Sequence, residues 1–69
     1  MYIYTVEDII EYESSTVVAV FSTEELAREY ARTAELFTDA RSIYRAELDN
    51  PDADVQQIAF QWRDQKGEF

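Results

Sequence analysis

The chain has 69 residues, with fifteen Asp and Glu against six Lys and Arg, a formal net charge of −9, and neither cysteine nor histidine. That composition excludes a disulfide framework, a thiolate zinc site, and a Cys or Ser nucleophile served by an imidazole base. A charge this negative repels nucleic acid and anionic membranes and draws basic surfaces. At 46% hydrophobic and 14% aromatic residues, with one Gly and one Pro, the composition is that of a folded chain rather than an acidic disordered tail. Residues 1–69 form a single domain, near the lower size at which one core offsets conformational entropy. The start Met1-Tyr2-Ile3-Tyr4 carries no basic region, and no apolar run approaches roughly 18 residues. Neither secretion nor membrane insertion is expected, and the cytoplasm is the expected location. Five of the six bases are Arg, and such a bias also fits a GC-rich or salt-adapted source.

Residues 1–21 read as a hairpin. Tyr2, Tyr4 and Val6 alternate with Ile3 and Thr5, and Thr16-Val17-Val18-Ala19-Val20-Phe21 is rich in β-branched residues. Glu13-Ser14-Ser15 is the expected turn; without an Asn-Gly signal it calls for a loop longer than two residues. Residues 22–38 read as a helix. Ser22 and Glu25 stand at the spacing of a capping box, Phe21 and Leu26 at that of a hydrophobic staple. Leu26, Ala27, Tyr30, Ala31, Ala34 and Phe37 then form an apolar stripe, with Glu24–Arg28 and Glu29–Arg32 as pairs on the wet side.

Residues 42–48, Ser-Ile-Tyr-Arg-Ala-Glu-Leu, read as a third strand that Pro51 stops. For residues 51–66 two readings compete. Asn50 as cap, Pro51 at the first helical position, Asp52 and Asp54 in the first turn, Val55, Ile58, Ala59 and Trp62 at helical spacing, and Arg63, Lys66 and Gly67 at the end favour a helix. Ile58, Phe60 and Trp62 alternate as a strand would. The expected fold class is α+β: a small antiparallel three-stranded sheet, order β-β-α-β, followed by a second short helix. Strand one carries apolar residues at both parities, so both sheet faces are partly apolar. The back is expected to lie under the second helix or against another chain, as a homodimer or higher oligomer.

The acids fall in two blocks. Glu7, Asp8, Glu11 and Glu13 lie on strand one and its turn; Glu47, Asp49, Asp52 and Asp54 surround the end of strand three. If strands one and three are neighbours, the blocks could merge into one negative, Tyr-bearing surface that docks on a basic groove, with carboxylates in place of phosphates and tyrosines in place of bases. Glu7, Asp8, Glu11, Tyr12, Glu47 and Asp49 are the candidate partner contacts. The plainer reading, a solvated acidic face with helix-capping duties at Glu24, Glu25 and Asp52, stands beside it. Arg28, Arg32, Arg41 and Arg45 are the candidates for a small nucleotide-type ligand, held between subunits of an oligomer. Asp49-Asn50-Pro51-Asp52-Ala53-Asp54 has the look of a calcium loop, but it lacks the central Gly, and Phe60 stands where the closing Glu belongs. No metal, no cofactor, no catalytic residue and no direct nucleic-acid binding are expected.

The Tyr/Val hairpin, the run Val20-Phe21-Ser22-Thr23-Glu24-Glu25-Leu26-Ala27 opening an Ala-rich helix, and the strand after it resemble small phage-encoded hairpin–helix–strand proteins over residues 2–48. Some proteins of that kind, anti-CRISPR and DNA-mimic proteins among them, inhibit bacterial defence systems. The resemblance implies a non-enzymatic inhibitor or decoy that binds a basic surface of a host defence protein in the host cytoplasm. The basic stretch from Arg28 to Arg45 departs from a uniformly acidic mimic. A structural or antitoxin-like interaction module is the remaining alternative.

Overall fold

A computed structural model describes residues 1–69. Five elements follow in order: β1 (Tyr2–Ile10), β2 (Ser14–Phe21), α1 (Glu24–Thr33), β3 (Ala40–Glu47) and β4 (Gln56–Trp62). The strands form one antiparallel sheet in the order β2-β1-β3-β4. β1 therefore pairs with β2 on one side and β3 on the other. The α+β class holds, with four strands in place of three and one helix in place of two. No helix is long and apolar enough to cross a membrane.

The second helix expected over 51–66 is β4. Asn, Pro and Asp serve a turn as well as a helix start, and the helical spacing of Val55, Ile58, Ala59 and Trp62 overlaps the alternation of Ile58, Phe60 and Trp62. Asp49 takes φ +60° and Ala53 N–H bonds to the Asn50 carbonyl at 3.2 Å, so Leu48 to Asp52 reverse the chain instead of opening a helix. The interior decides the matter. As a strand the segment pairs with the otherwise open edge of β3 and sets Phe60 and Trp62 on one face, ring centroids 5.1 Å apart at 88°. An irregularity opposite Ile43/Tyr44 leaves Ile58 without a partner residue, and both Ile58 and Ala59 then reach the core.

α1 lies across one face of the sheet. Its alanines at 27 and 31 are buried against Val6 of β1 and Ile43 of β3, with Tyr4, Ala19, Phe21, Tyr30, Ile58, Ala59 and Phe69 around them. Small helix residues over two branched strand residues bring helix and sheet close, which suits a core this small. The helix begins one residue later than the expected box. Thr23, not Ser22, is the N-cap, and its Oγ1 accepts from Leu26 N–H at 3.2 Å. The staple is replaced by Phe21 against Tyr30, 5.5 Å between centroids, while Leu26 is half exposed. The helix stops at Thr33 instead of 38; Ala34 is already extended at φ −73°, ψ 135°, and Phe37 leaves the stripe for solvent, 78% exposed.

No helix covers the other face of the sheet. Strand register puts Ile3, Thr5, Glu7 and Ile9 of β1, Val17 and Val20 of β2, Tyr44 of β3, and Phe60 and Trp62 of β4 on that side. Ala40 and Ser42, whose cross-strand neighbours are Trp62 and Phe60, are buried even so, and the Ser42 hydroxyl makes no hydrogen bond within the chain.

Candidate functional site

Arg41 and Asp8, candidates for opposite roles in the sequence reading, are bound to each other. Cross-strand partners in β3 and β1, they meet in a fork: Nε donates to Oδ1 at 2.6 Å and Nη2 to Oδ2 at 3.0 Å. The remaining guanidinium hydrogens go to the last carbonyls of the helix and the residues after it, those of Ala31 (3.0 Å), Ala34 (2.8 Å) and Glu35 (3.3 Å). Those carbonyls have no partner inside the helix, and a cation there also meets the negative end of the helix dipole. Arg41 is 2% exposed. Its donors are consumed, so it is not a ligand arginine, and Asp8 faces the helix side rather than a partner. The same contact ends the helix at Thr33.

The other three candidate arginines do not converge either. Arg28 pairs with Glu24 at 2.8 Å and donates to the Glu68 carbonyl at 3.0 Å. Arg32 turns from Glu29 to the Phe69 carbonyl at 3.2 Å. Arg45 stacks over the Tyr2 ring, 4.7 Å from its centroid, and bonds Gln56 at the far end of the sheet. A shared arginine-lined pocket within one subunit is therefore not formed.

The two acidic blocks do not merge. β1 and β3 are neighbours, as the sequence reading required, but they run antiparallel, with Tyr2 opposite Glu47 and Ile9 opposite Ala40. Glu47 and Asp49 consequently lie at the start of β1, and Glu11 and Tyr12 beyond its end, on a molecule 34 Å long. Glu7 projects from the open face, opposite in side to Asp8. The six candidate contacts thus occupy two ends and both faces.

What does gather is the end of the sheet at the β1–β2 turn. Asp39 pins it: its carboxylate accepts from Glu11 N–H at 2.7 Å, its own N–H donates to Ile9 at 2.9 Å, and its carbonyl accepts from Arg63 N–H at 2.9 Å. Glu11, Asp39, Trp62, Arg63, Asp64 and Gln65 line an open cleft of about 510 Å³. No three carboxylates are spaced to hold a metal ion. Glu13 N–H closes the turn on the Ile10 carbonyl at 3.0 Å, which makes Tyr12 the third of four turn residues. Its φ is +64°, the left-handed region that Gly or Asn fills in such turns. Tyr12 is 98% exposed. Asp39, Trp62 and Asp64 were absent from the candidate contacts because only strand pairing carries them to residue 11.

The opposite end also has a residue at positive φ, Asp49, and a cleft of about 240 Å³ lined by Tyr2, Arg45, Glu47, Ala53, Asp54 and Gln56. Asp tolerates that conformation and Tyr does not, so the strained residue that invites a functional explanation is Tyr12. No curated protein and no solved structure matches the chain. Residues 1–60 match the domain family DUF7336, described as a domain of unknown function. That span runs from the first strand into the fourth and takes in the helix, Tyr12 and the Asp8–Arg41 pair, and the chain belongs to the DUF7336 family.

Proposed function

We propose that this chain is a non-enzymatic binding module that seats its β1–β2 tip on a basic protein surface and acts as an inhibitor or decoy by covering it. Tyr12 carries the reading. A bulky residue in the left-handed region costs about 1–2 kcal/mol, and a ring wholly in water returns nothing to the monomer. Buried in a partner it would be a typical hot-spot residue. Glu11 and Glu13 flank it in the chain, and Asp39 and Asp64 line the cleft that Glu11 shares; these carboxylates steer a basic partner and fix its orientation. Tyr12 and Trp62 beside those carboxylates are also the chemistry by which a protein imitates bases and phosphates, so a groove that normally holds nucleic acid is the surface we assign to the partner. This is the kind of inhibitor that the resemblance to small phage proteins implies.

The test uses Tyr12→Gly. The variant is expected to unfold at higher urea, by about 1 kcal/mol, while the protein captured by the wild-type chain from bacterial lysate is lost. Release of that protein by salt is the second expected result, since exposed charges more than about 10 Å apart are largely screened at 0.1 M. Undiminished capture by Tyr12→Gly and by Glu11→Lys with Glu13→Lys overturns the reading.

A further inference from the structure

β2 is an outer strand whose free edge nothing in the chain occupies. Its inner side pairs with β1, and the backbone bonds outside the helix and the strand ladders all lie away from residues 14–21. The other outer strand differs: at its end Trp62 N–H is taken by Gln65 Oε1 at 3.1 Å. Exposed edges are usually guarded by Lys, by Pro or by shortness. β2 is eight residues long, Ser-Ser-Thr-Val-Val-Ala-Val-Phe, with no charge and no proline, and the bulge beside Val18 is its one irregularity. Val17, Val18 and Val20 are 51%, 39% and 57% exposed.

Charge says what fits there. Ser14 to Thr23 is the longest stretch without a charged residue in a chain of net charge −9, so a second copy can approach this edge without setting carboxylate against carboxylate. Packing of two open faces would instead bury Glu7 of each copy, and burying unpaired charges is strongly unfavourable. We infer that β2 is a homotypic interface: two copies pair β2 with β2 antiparallel about a two-fold axis normal to the sheet. The result is a continuous eight-stranded sheet with both helices on one side. Antiparallel order separates the two Glu11–Glu13 tips, carrying each to the Phe21 end of its partner. A parallel pair would set the two acidic tips side by side. The dimer then displays two tips, one at each end. The inference stands independently of the role given to Tyr12, and Tyr12→Gly should leave the dimer intact.

The experiment is sedimentation equilibrium of the full chain over a range of concentrations, at moderate salt where the net repulsion is screened. A concentration-dependent dimer is expected, weakened at least about tenfold by Val18→Lys with Val20→Lys. Thr16→Pro and Val17→Pro provide a second arm. Adjacent N–H groups point to opposite edges of a strand, so one of these variants spares the β1 ladder, folds by circular dichroism and sediments as a monomer. A single-chain mass at every concentration overturns the inference. So does a dimer undiminished in the lysine and folded proline variants, or one lost on Glu7→Lys, which would place the contact on the open face.

Discussion

Arg41 is the residue on which most of the local structure converges, because one guanidinium joins β3 to Asp8 of β1 and to the carbonyls that end α1. Removing one partner of a buried pair leaves an uncompensated charge, a loss of about 3–5 kcal/mol. Total stability for domains of ordinary size begins at about 5 kcal/mol. Asp8→Ala is therefore expected to be largely unfolded, and Arg41→Lys to fare little better, since an ammonium has no planar fork and reaches fewer acceptors. Urea denaturation followed by circular dichroism measures both; an Asp8→Ala midpoint close to wild type would show the pair to be dispensable. Part of this was legible in the sequence. Asp8 has the same parity as Tyr4 and Val6, so an alternating strand already points it toward the side those residues bury. Arg41 as its partner was not legible, because 33 residues separate them and only the β1–β3 register brings them together.

At the scale of elements, the expected N-cap Ser22 lies one residue from the observed cap Thr23. Ser22 and Thr23 are both good caps, and either hydroxyl has an N–H three residues on. The cap falls on Thr23, which keeps Phe21 in β2 and against Tyr30. Thr23→Ala is accordingly expected to lose about 1 kcal/mol in chemical denaturation and Ser22→Ala close to nothing; the reverse order would put the cap where the box pattern alone puts it. Residues 51–66 favour a helix on local signals, because cap, Pro51, first-turn acids, apolar spacing and closing bases agree against a single alternation. Strand pairing with β3 and the burial of Ile58 and Ala59 are worth more than weak local preferences, which tertiary context overrides. Phe60 is the telling residue: a helix strands it opposite Trp62, and the strand sets the two rings edge to face.

On the whole molecule, antiparallel order divides the charge. The acid-rich segments that looked able to form one surface are held at opposite ends of a 34 Å body, which lessens their mutual repulsion and leaves two separate negative ends. The residual self-repulsion of a −9 chain still opposes compaction. Raising ionic strength from about 0.01 M to about 1 M shortens the Debye length from about 30 Å to about 3 Å. The urea midpoint is expected to rise with sodium chloride across that range. A fall would mean that exposed attractions such as Glu24–Arg28 outweigh the repulsion. The Asp8–Arg41 pair, shielded from solvent, should contribute little to either trend.

Composition and local patterning establish the α+β class, the hairpin, the helix and where it opens, and the third strand, and they exclude thiol and imidazole chemistry. Each of these follows from composition or from a period that a short window contains. Tertiary structure decided the rest: the fourth strand, the early end of the helix, the consumption of Arg41 and Asp8 in one contact, and the separation of the two acidic blocks. The physical reason is the same throughout. A hydrogen-bond ladder or a buried charge recruits partners tens of residues away, and no local pattern states which partner that is. Tyr12 stands between the two. The sequence singled it out as an aromatic among acids, and the fold added the left-handed backbone, the full exposure, and a cleft beside Glu11 lined by Asp39, Trp62 and Asp64.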